Sequence, residues 1–224
     1  MGASSHTRAP ARAARGADAL LAFAAAMARG RQGEAGRALQ RARRAGWPRR
    51  AAEETALMLV LHAGYPAALE ALAVLAHEWP GAPHRAPERG PARRRRDGAR
   101  LCRRVYGGTA PRLIENVRRL HPSLARWMIE EGYGRVLSRP GLGAVERELV
   151  AVAVLAACGW ERQLVSHLLG AARVGAPRER VGAAFAIGRR MAETRARAGT
   201  ARAWRRAFGA PSRGAAVDRP RARS

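Results

Sequence analysis

The chain contains no lysine, so all 42 of its basic residues are arginine, and it has only two cysteines in 224 residues. Cys102 and Cys158 lie far apart in the sequence, and neither belongs to a CxxC pair, which excludes a local redox dithiol. Such sparse cysteine is typical of a reducing compartment, and we expect a cytoplasmic protein. Apolar runs are also short. None approaches the roughly 20 residues that span a bilayer, so no membrane-spanning segment is predicted.

The formal charge of +25 suggests nucleic-acid binding, but its distribution argues against that function. Residues 1–17, 81–100 and 194–224 together carry +16 of this charge, and they are rich in proline, glycine and alanine. The excess therefore falls on predicted tails and a predicted linker rather than on a folded face. We do not expect nucleic acid as a partner.

The changes in charge and in proline, glycine and alanine content along the chain also predict its domain organisation. The predicted segments are a disordered basic N-terminus (1–17), a first helical repeat (18–80), a linker (81–100), a second helical repeat (101–193) and a mostly disordered basic tail (194–224). Apolar residues at helical spacing, interrupted by glycine and proline, predict helices in both repeats. ALLAFAAAMARG in the first repeat aligns with ELVAVAVLAACG in the second, with Asp18 near the place of Glu148 and Ala38 near that of His167. The predicted fold class is all-α, with paired helical hairpins and an internal diverged repeat.

Residues 146–177 carry the candidate chemistry. Residues 149–157 are apolar on every side and predict a buried helix, Gly159 suits its end, and a second helix follows from about Trp160. In an antiparallel hairpin about Gly159, Glu148 lies 11 residues before the turn and His167 lies 8 after it, an offset of about one helical turn. The two side chains can therefore meet. Such a pair can transfer protons, or it can be a buried pair with a structural role alone.

The motifs around this pair resemble the carboxymuconolactone decarboxylase family, which includes the alkyl hydroperoxidase D proteins. The resemblance rests on YGRVLSRPGL (133–142), RELVAVAVLAACGW (147–160), QLVSHLLGA (163–171) and VGAPRERV (174–181). Upstream, LHAGYPAALEALAVL (61–75) resembles another family helix, usually written YAGxPAA, with His62 where tyrosine is usual. We expect that segment to close the pocket around the Glu–His pair. In the family's peroxidase branch a CxxC occupies the positions that are here Trp160 and Gln163, so the chain resembles the decarboxylase branch.

This resemblance implies decarboxylation of a small carboxylic lactone or enol acid, with Glu148 and His167 as the catalytic residues. Arg139, in the loop before the hairpin, is expected to hold a substrate carboxylate, and Trp160 and Gln163 are expected to line the pocket. The resemblance further implies a homo-oligomer (dimer, trimer or hexamer) that needs no metal and no organic cofactor.

Two other functions stay open from the sequence. A thiol peroxidase activity, associated with the wider family, would depend on Cys158, which also fits a packed thiol at the end of a buried helix. The second alternative is a non-catalytic scaffold whose arginine-rich tails bind a polyanion. Arg139 likewise fits a surface role, since the chain has 42 arginines.

Overall fold

The structure is a computed structural model, which describes residues 8–209 and gives side chains from residue 14 onward. Every regular element in this range is helical, which confirms the predicted all-α class. The helices are α1 (Arg8–Met27), α2 (Gln32–Arg44), α3 (Arg49–His62), α4 (Tyr65–Glu78), α5 (Pro91–Tyr106), α6 (Ala110–Leu120), α7 (Pro122–Trp127), α8 (Ala144–Cys158), α9 (Glu161–Arg173), α10 (Arg178–Met191) and α11 (Thr194–Phe208). A short 3-10 turn precedes α6, and a π-helix, Met128–Leu137, continues α7.

Helix α8 lies at the centre of the fold. Its residues 149–157 are all buried, and α1, α3, α9 and α10 pack around it. Helix α10 approaches α8 closely at Gly188, where a Cβ atom would lie 2.1 Å from the backbone oxygen of Ala153. As predicted, α8 ends at Gly159, whose φ of 77° is left-handed and favours glycine. The chain then reverses into α9, which forms the second arm of the predicted hairpin.

The first four and last four helices of the described chain share one register. A constant shift of 129 residues carries Gly30 onto Gly159 and Gly46 onto Gly175, and all four glycines have positive φ. The same shift carries the bounds of α2 onto those of α9 and the bounds of α3 onto those of α10. In this register Ala19, and not Asp18 as the sequence comparison suggested, takes the place of Glu148. The agreement of helix bounds is the observation that supports an internal repeat.

The predicted linker and tails are shorter than expected. The linker was predicted to span residues 81–100, but helix α5 begins at Pro91. Residues 93–96 therefore belong to a helix. Proline suits the first turn of a helix, and buried side chains such as Cys102 and Val105 hold α5 against the core. Residues 8–17 belong to α1, and residues 194–208 form α11. The rest of the predicted tails, residues 1–7 and 210–224, lies outside the described residues.

Helix α11 packs on the body of the protein through aromatic contacts. The ring of Trp204 lies 5.0 Å from that of Phe185 on α10 and 4.8 Å from that of Phe208, measured between centroids. Within residues 8–209, no helix has the length and apolar character needed to cross a membrane.

Candidate functional site

Glu148 and His167 meet in the interior of the α8–α9 hairpin. Nδ1 of His167 lies 2.9 Å from Oε2 of Glu148, and the two residues are only 8% and 3% exposed. An ionised carboxylate can only accept, so the Nδ1–H of the imidazole donates this hydrogen bond. The bond fixes the ring and leaves Nε2 as the nitrogen that can contact a ligand.

Gly170 creates the space that the carboxylate of Glu148 occupies. A Cβ atom at this position of α9 would lie 2.7 Å from Oε2 of Glu148 and 2.7 Å from Cγ1 of Val105. Both distances are shorter than van der Waals contact, so any larger side chain would displace the carboxylate. Gly170 follows His167 by three residues and therefore lies on the same face of α9.

Two tyrosines near Glu148 stay neutral at physiological pH. Burial raises the pKa of Tyr106 to about 12, and the negative charge of Glu148 contributes to the increase. Burial likewise raises the pKa of Tyr133 well above its usual value, and both Tyr106 and Glu148 add to that effect. The two phenol groups beside the carboxylate therefore stay uncharged in the physiological range.

A cavity of about 640 Å³ lies beside His167 and is formed by residues from both halves of the chain. The second half contributes the end of α8 and the start of α9, including His167, Trp160 and Gln163. Trp160 is 58% exposed and so lies towards the solvent. Glu148 is not among the lining residues, so His167 separates it from the cavity. A bound molecule would touch His167 and would have no direct contact with Glu148.

The first half contributes residues 60–64 together with Ala28 and Arg29, which directly follow α1. The segment that resembles the YAGxPAA helix thus borders the cavity through its first residues. The ring of His62 stands edge-on to that of His167, with 5.5 Å between their centroids. Nε2 of His62 is buried and has no hydrogen-bond partner among the described residues. Burial, with a further contribution from His167, lowers the pKa of His62 to about 3.

Arg139 is not among the residues that line this cavity, so the structure does not place it beside His167, where we expected it to hold a substrate carboxylate. Its Nε donates to both carboxylate oxygens of Glu54, at 3.0 and 3.1 Å. Glu54, on α3, also accepts from Nη2 of Arg147 at 3.0 Å. Arg139 lines a separate cavity of about 220 Å³, whose other lining residues include four arginines. Its partner lies in the other half of the chain, which the loop sequence around Arg139 does not indicate.

The remaining candidate groups are the Cys158 thiol and the side chains that could bind a metal ion. Cys158 lines the cavity, but burial raises the pKa of its thiol, and its Sγ lies 3.9 Å from the backbone oxygen of Ala28. In residues 8–209 there is no group of three or more His, Cys, Asp or Glu side chains that could hold a metal ion.

The fold and the site define an all-α protein with a buried carboxylate–imidazole pair beside an open cavity. Residues 122–210, which include both members of the pair, match the model of the carboxymuconolactone decarboxylase family. This part of the chain is similar to that family, as its motifs indicated. The match covers fewer than half of the 224 residues, and the segment that contains His62 and Arg29 lies outside it. No curated protein matches the chain.

Proposed function

We propose that this protein catalyses proton transfer coupled to decarboxylation of a small carboxylic lactone or enol acid. The observation that carries the proposal is the hydrogen bond between His167 and Glu148, with His167 exposed to a cavity of about 640 Å³. A cavity of this volume is within the range of small-molecule sites. The imidazole has one nitrogen held by a carboxylate and the other available to a bound molecule, which is the arrangement of a general acid–base catalyst.

The reaction proceeds in two steps. In the substrate, the bond between a carbon and its carboxylate breaks next to a carbonyl or lactone group. The electron pair stays on that carbon as an enolate, and CO₂ leaves. His167 then donates its Nε2 proton to the carbon, which restores the carbonyl and gives the decarboxylated product. The imidazole takes back a proton from water before the next turnover.

Glu148 acts through His167 and is a positioning residue in this scheme. Its hydrogen bond to Nδ1 holds the ring in one orientation and stabilises the imidazolium, because a carboxylate favours the charged form of a neighbouring base. The expected signature of this role is a change in the pH profile of turnover. A residue that served stability alone would leave the profile unchanged.

The two alternative functions have less support. A thiol peroxidase would need a reactive thiolate, whereas burial raises the pKa of Cys158, and the positions of the family's dithiol are Trp160 and Gln163. A polyanion-binding scaffold would use the arginine-rich ends of the chain, and it assigns no role to the His167 cavity. The homo-oligomeric state stays a prediction.

The proposal is tested by measuring CO₂ release from a panel of small carboxylic lactones. We expect His167→Ala to abolish turnover, while its helical circular dichroism spectrum stays that of the wild type. Loss of one general acid–base group costs about 10²–10⁴-fold in rate. Glu148→Gln should retain partial turnover with an altered pH profile.

A matched control is His84→Ala, which removes a histidine from the exposed segment between α4 and α5. This variant should keep wild-type turnover. The proposed function is wrong if the wild type releases no CO₂ from any member of the panel, or if His167→Ala turns over as fast as the wild type.

A further inference from the structure

We infer that the first half of the chain supplies the carboxylate-recognising wall of the His167 cavity, through the charge of Arg29 and the hydrogen-bonding nitrogen of His62. The inference rests on the proposed function for the identity of the substrate. It assigns specificity to residues outside the matched family domain, whose bounds are residues 122–210. Recognition and proton transfer then come from different halves of one chain.

Arg29 is the one arginine among the described residues that line the cavity. It follows the end of α1, and its Nη2 donates to Glu193, the residue that directly precedes α11. A guanidinium has five N–H donors, so Arg29 can hold Glu193 and a second carboxylate together. Glu193 also pairs with Arg195, at 2.8 Å, so this cluster of two arginines and one glutamate keeps a net positive charge. An anion entering the cavity is attracted to this side of it.

His62 offers a hydrogen-bonding atom that the protein itself does not satisfy. A buried polar atom without a partner costs about 1–3 kcal/mol, so a cavity ligand that pairs with Nε2 of His62 recovers that cost. Because burial holds the pKa of His62 near 3, its ring is neutral and offers one N–H and one acceptor nitrogen. A neutral donor suits a carboxylate beside His167, since it binds the anion without competing for the proton that His167 transfers.

The alignment of the two halves by the shift of 129 residues agrees with recognition by the first half and proton transfer by the second. At the positions that correspond to Glu148 and His167, the first half has Ala19 and Ala38, and both are fully or almost fully buried. The first half therefore has no proton-transfer pair at the equivalent place. What it presents to the shared cavity is Arg29, His62 and the apolar residues around them.

The test compares the binding of two probes by isothermal titration calorimetry at pH 7. The probes are γ-butyrolactone-γ-carboxylate and its carboxamide, which differ in charge and hardly in shape. We expect the wild type to bind the acid about tenfold or more tightly than the amide, because hydrogen bonds to charged groups are the stronger ones. Arg29→Gln should reduce this preference about tenfold, and Arg29→Lys should retain part of it.

Arg31→Gln is the matched control for charge. Arg31 lies two positions further along the same loop, has a 44% exposed side chain and does not line the cavity. This variant should keep the wild-type preference. Two variants test His62. His62→Phe keeps an aromatic ring but has no polar atom, and His62→Gln keeps an N–H group. His62→Phe should bind the acid about tenfold more weakly, and His62→Gln should stay within about threefold of the wild type.

Any other binding result contradicts the inference. It is wrong if the wild type shows no saturable binding of the acid, or binds acid and amide equally. It is also wrong if Arg31→Gln loses the preference as strongly as Arg29→Gln. Binding needs no turnover, so the two proposals fail separately. If the wild type prefers the acid but releases no CO₂, only the proposed function is wrong. If the wild type releases CO₂ but does not prefer the acid, only this inference is wrong.

Discussion

Acid should destabilise the protein through His62 between about pH 6.5 and pH 3. In the unfolded chain His62 titrates near 6.5, whereas in the folded protein burial and the neighbouring His167 lower its pKa to about 3. Between these values the unfolded state binds a proton that the folded state does not. The free energy of unfolding therefore falls as the pH falls through this window, and the effect is absent above about pH 7.5.

The expected magnitude follows from the size of the window. From about pH 7.5 to 4.5, an unscreened shift would reduce the free energy of unfolding by nearly 3 kcal/mol. The side chain of His62 is only partly buried, so we expect about 2 kcal/mol after solvent screening. The charged or titratable groups that share its cavity are His167, Arg29 and Cys158, and of these His167 adds to the lowering of the pKa of His62.

Urea unfolding of the wild type and of His62→Gln, each at pH 7.5 and 4.5, measures this effect. The other titrating groups are present in both proteins, so the difference between their pH responses isolates His62. A loss of about 2 kcal/mol would lower the wild-type midpoint by about 0.7–1 M more than that of His62→Gln. Equal pH responses of the two proteins would refute the claim that the ring of His62 stays neutral in the folded protein.

Three further predictions concern packing, charge and thiol reactivity. Gly170→Ala should displace the carboxylate of Glu148 and cost about 1–3 kcal/mol, as measured by urea unfolding, because its Cβ would lie 2.7 Å from Oε2. Glu54→Gln should cost about 3–5 kcal/mol in the same assay, because two arginine side chains that are 3% and 19% exposed lose their carboxylate. Cys158 should react with a thiol-modifying reagent at pH 7 at least tenfold more slowly than free cysteine, because burial raises its pKa.

Each of these predictions has a control within the chain or a result that would contradict it. Gly33→Ala, on the exposed side of α2, meets no heavy atom closer than 3.7 Å and should not destabilise the protein. Glu115 pairs with two arginines on the surface of α6, so Glu115→Gln should cost less than about 1 kcal/mol. Equal costs for the two glutamate variants would contradict the buried-cluster argument. A fast reaction that disappears in Cys158→Ser would contradict the third prediction.

Local features of the sequence were enough to predict the all-α class and the α8–α9 hairpin. Helix periodicity depends on neighbours three and four residues away, and a turn at Gly159 depends on the conformational freedom of that one residue. Glu148 and His167 are separated by 19 positions across one such turn. Their contact therefore follows from helix geometry and was predictable from spacing alone.

Contacts between distant segments were not predictable in this way. Arg139 lies in a loop that fits a substrate-binding role, yet its partner is Glu54, 85 positions earlier in the chain. The ring of His62 likewise contacts that of His167 only because α3 and the α8–α9 hairpin enclose the same cavity. Nothing local distinguishes a paired arginine from a free one, or a histidine in a site from one on a surface.

The amino-acid sequence by itself therefore determined the helices, the hairpin and the contact between Glu148 and His167, because each depends on interactions within a few turns of one chain segment. Only the tertiary structure decided which residues share the cavity with that pair. Burial at the junction of the two halves brings Arg29 and His62 to His167 and takes Arg139 away from it. That placement is set by packing between helices, which local spacing does not encode.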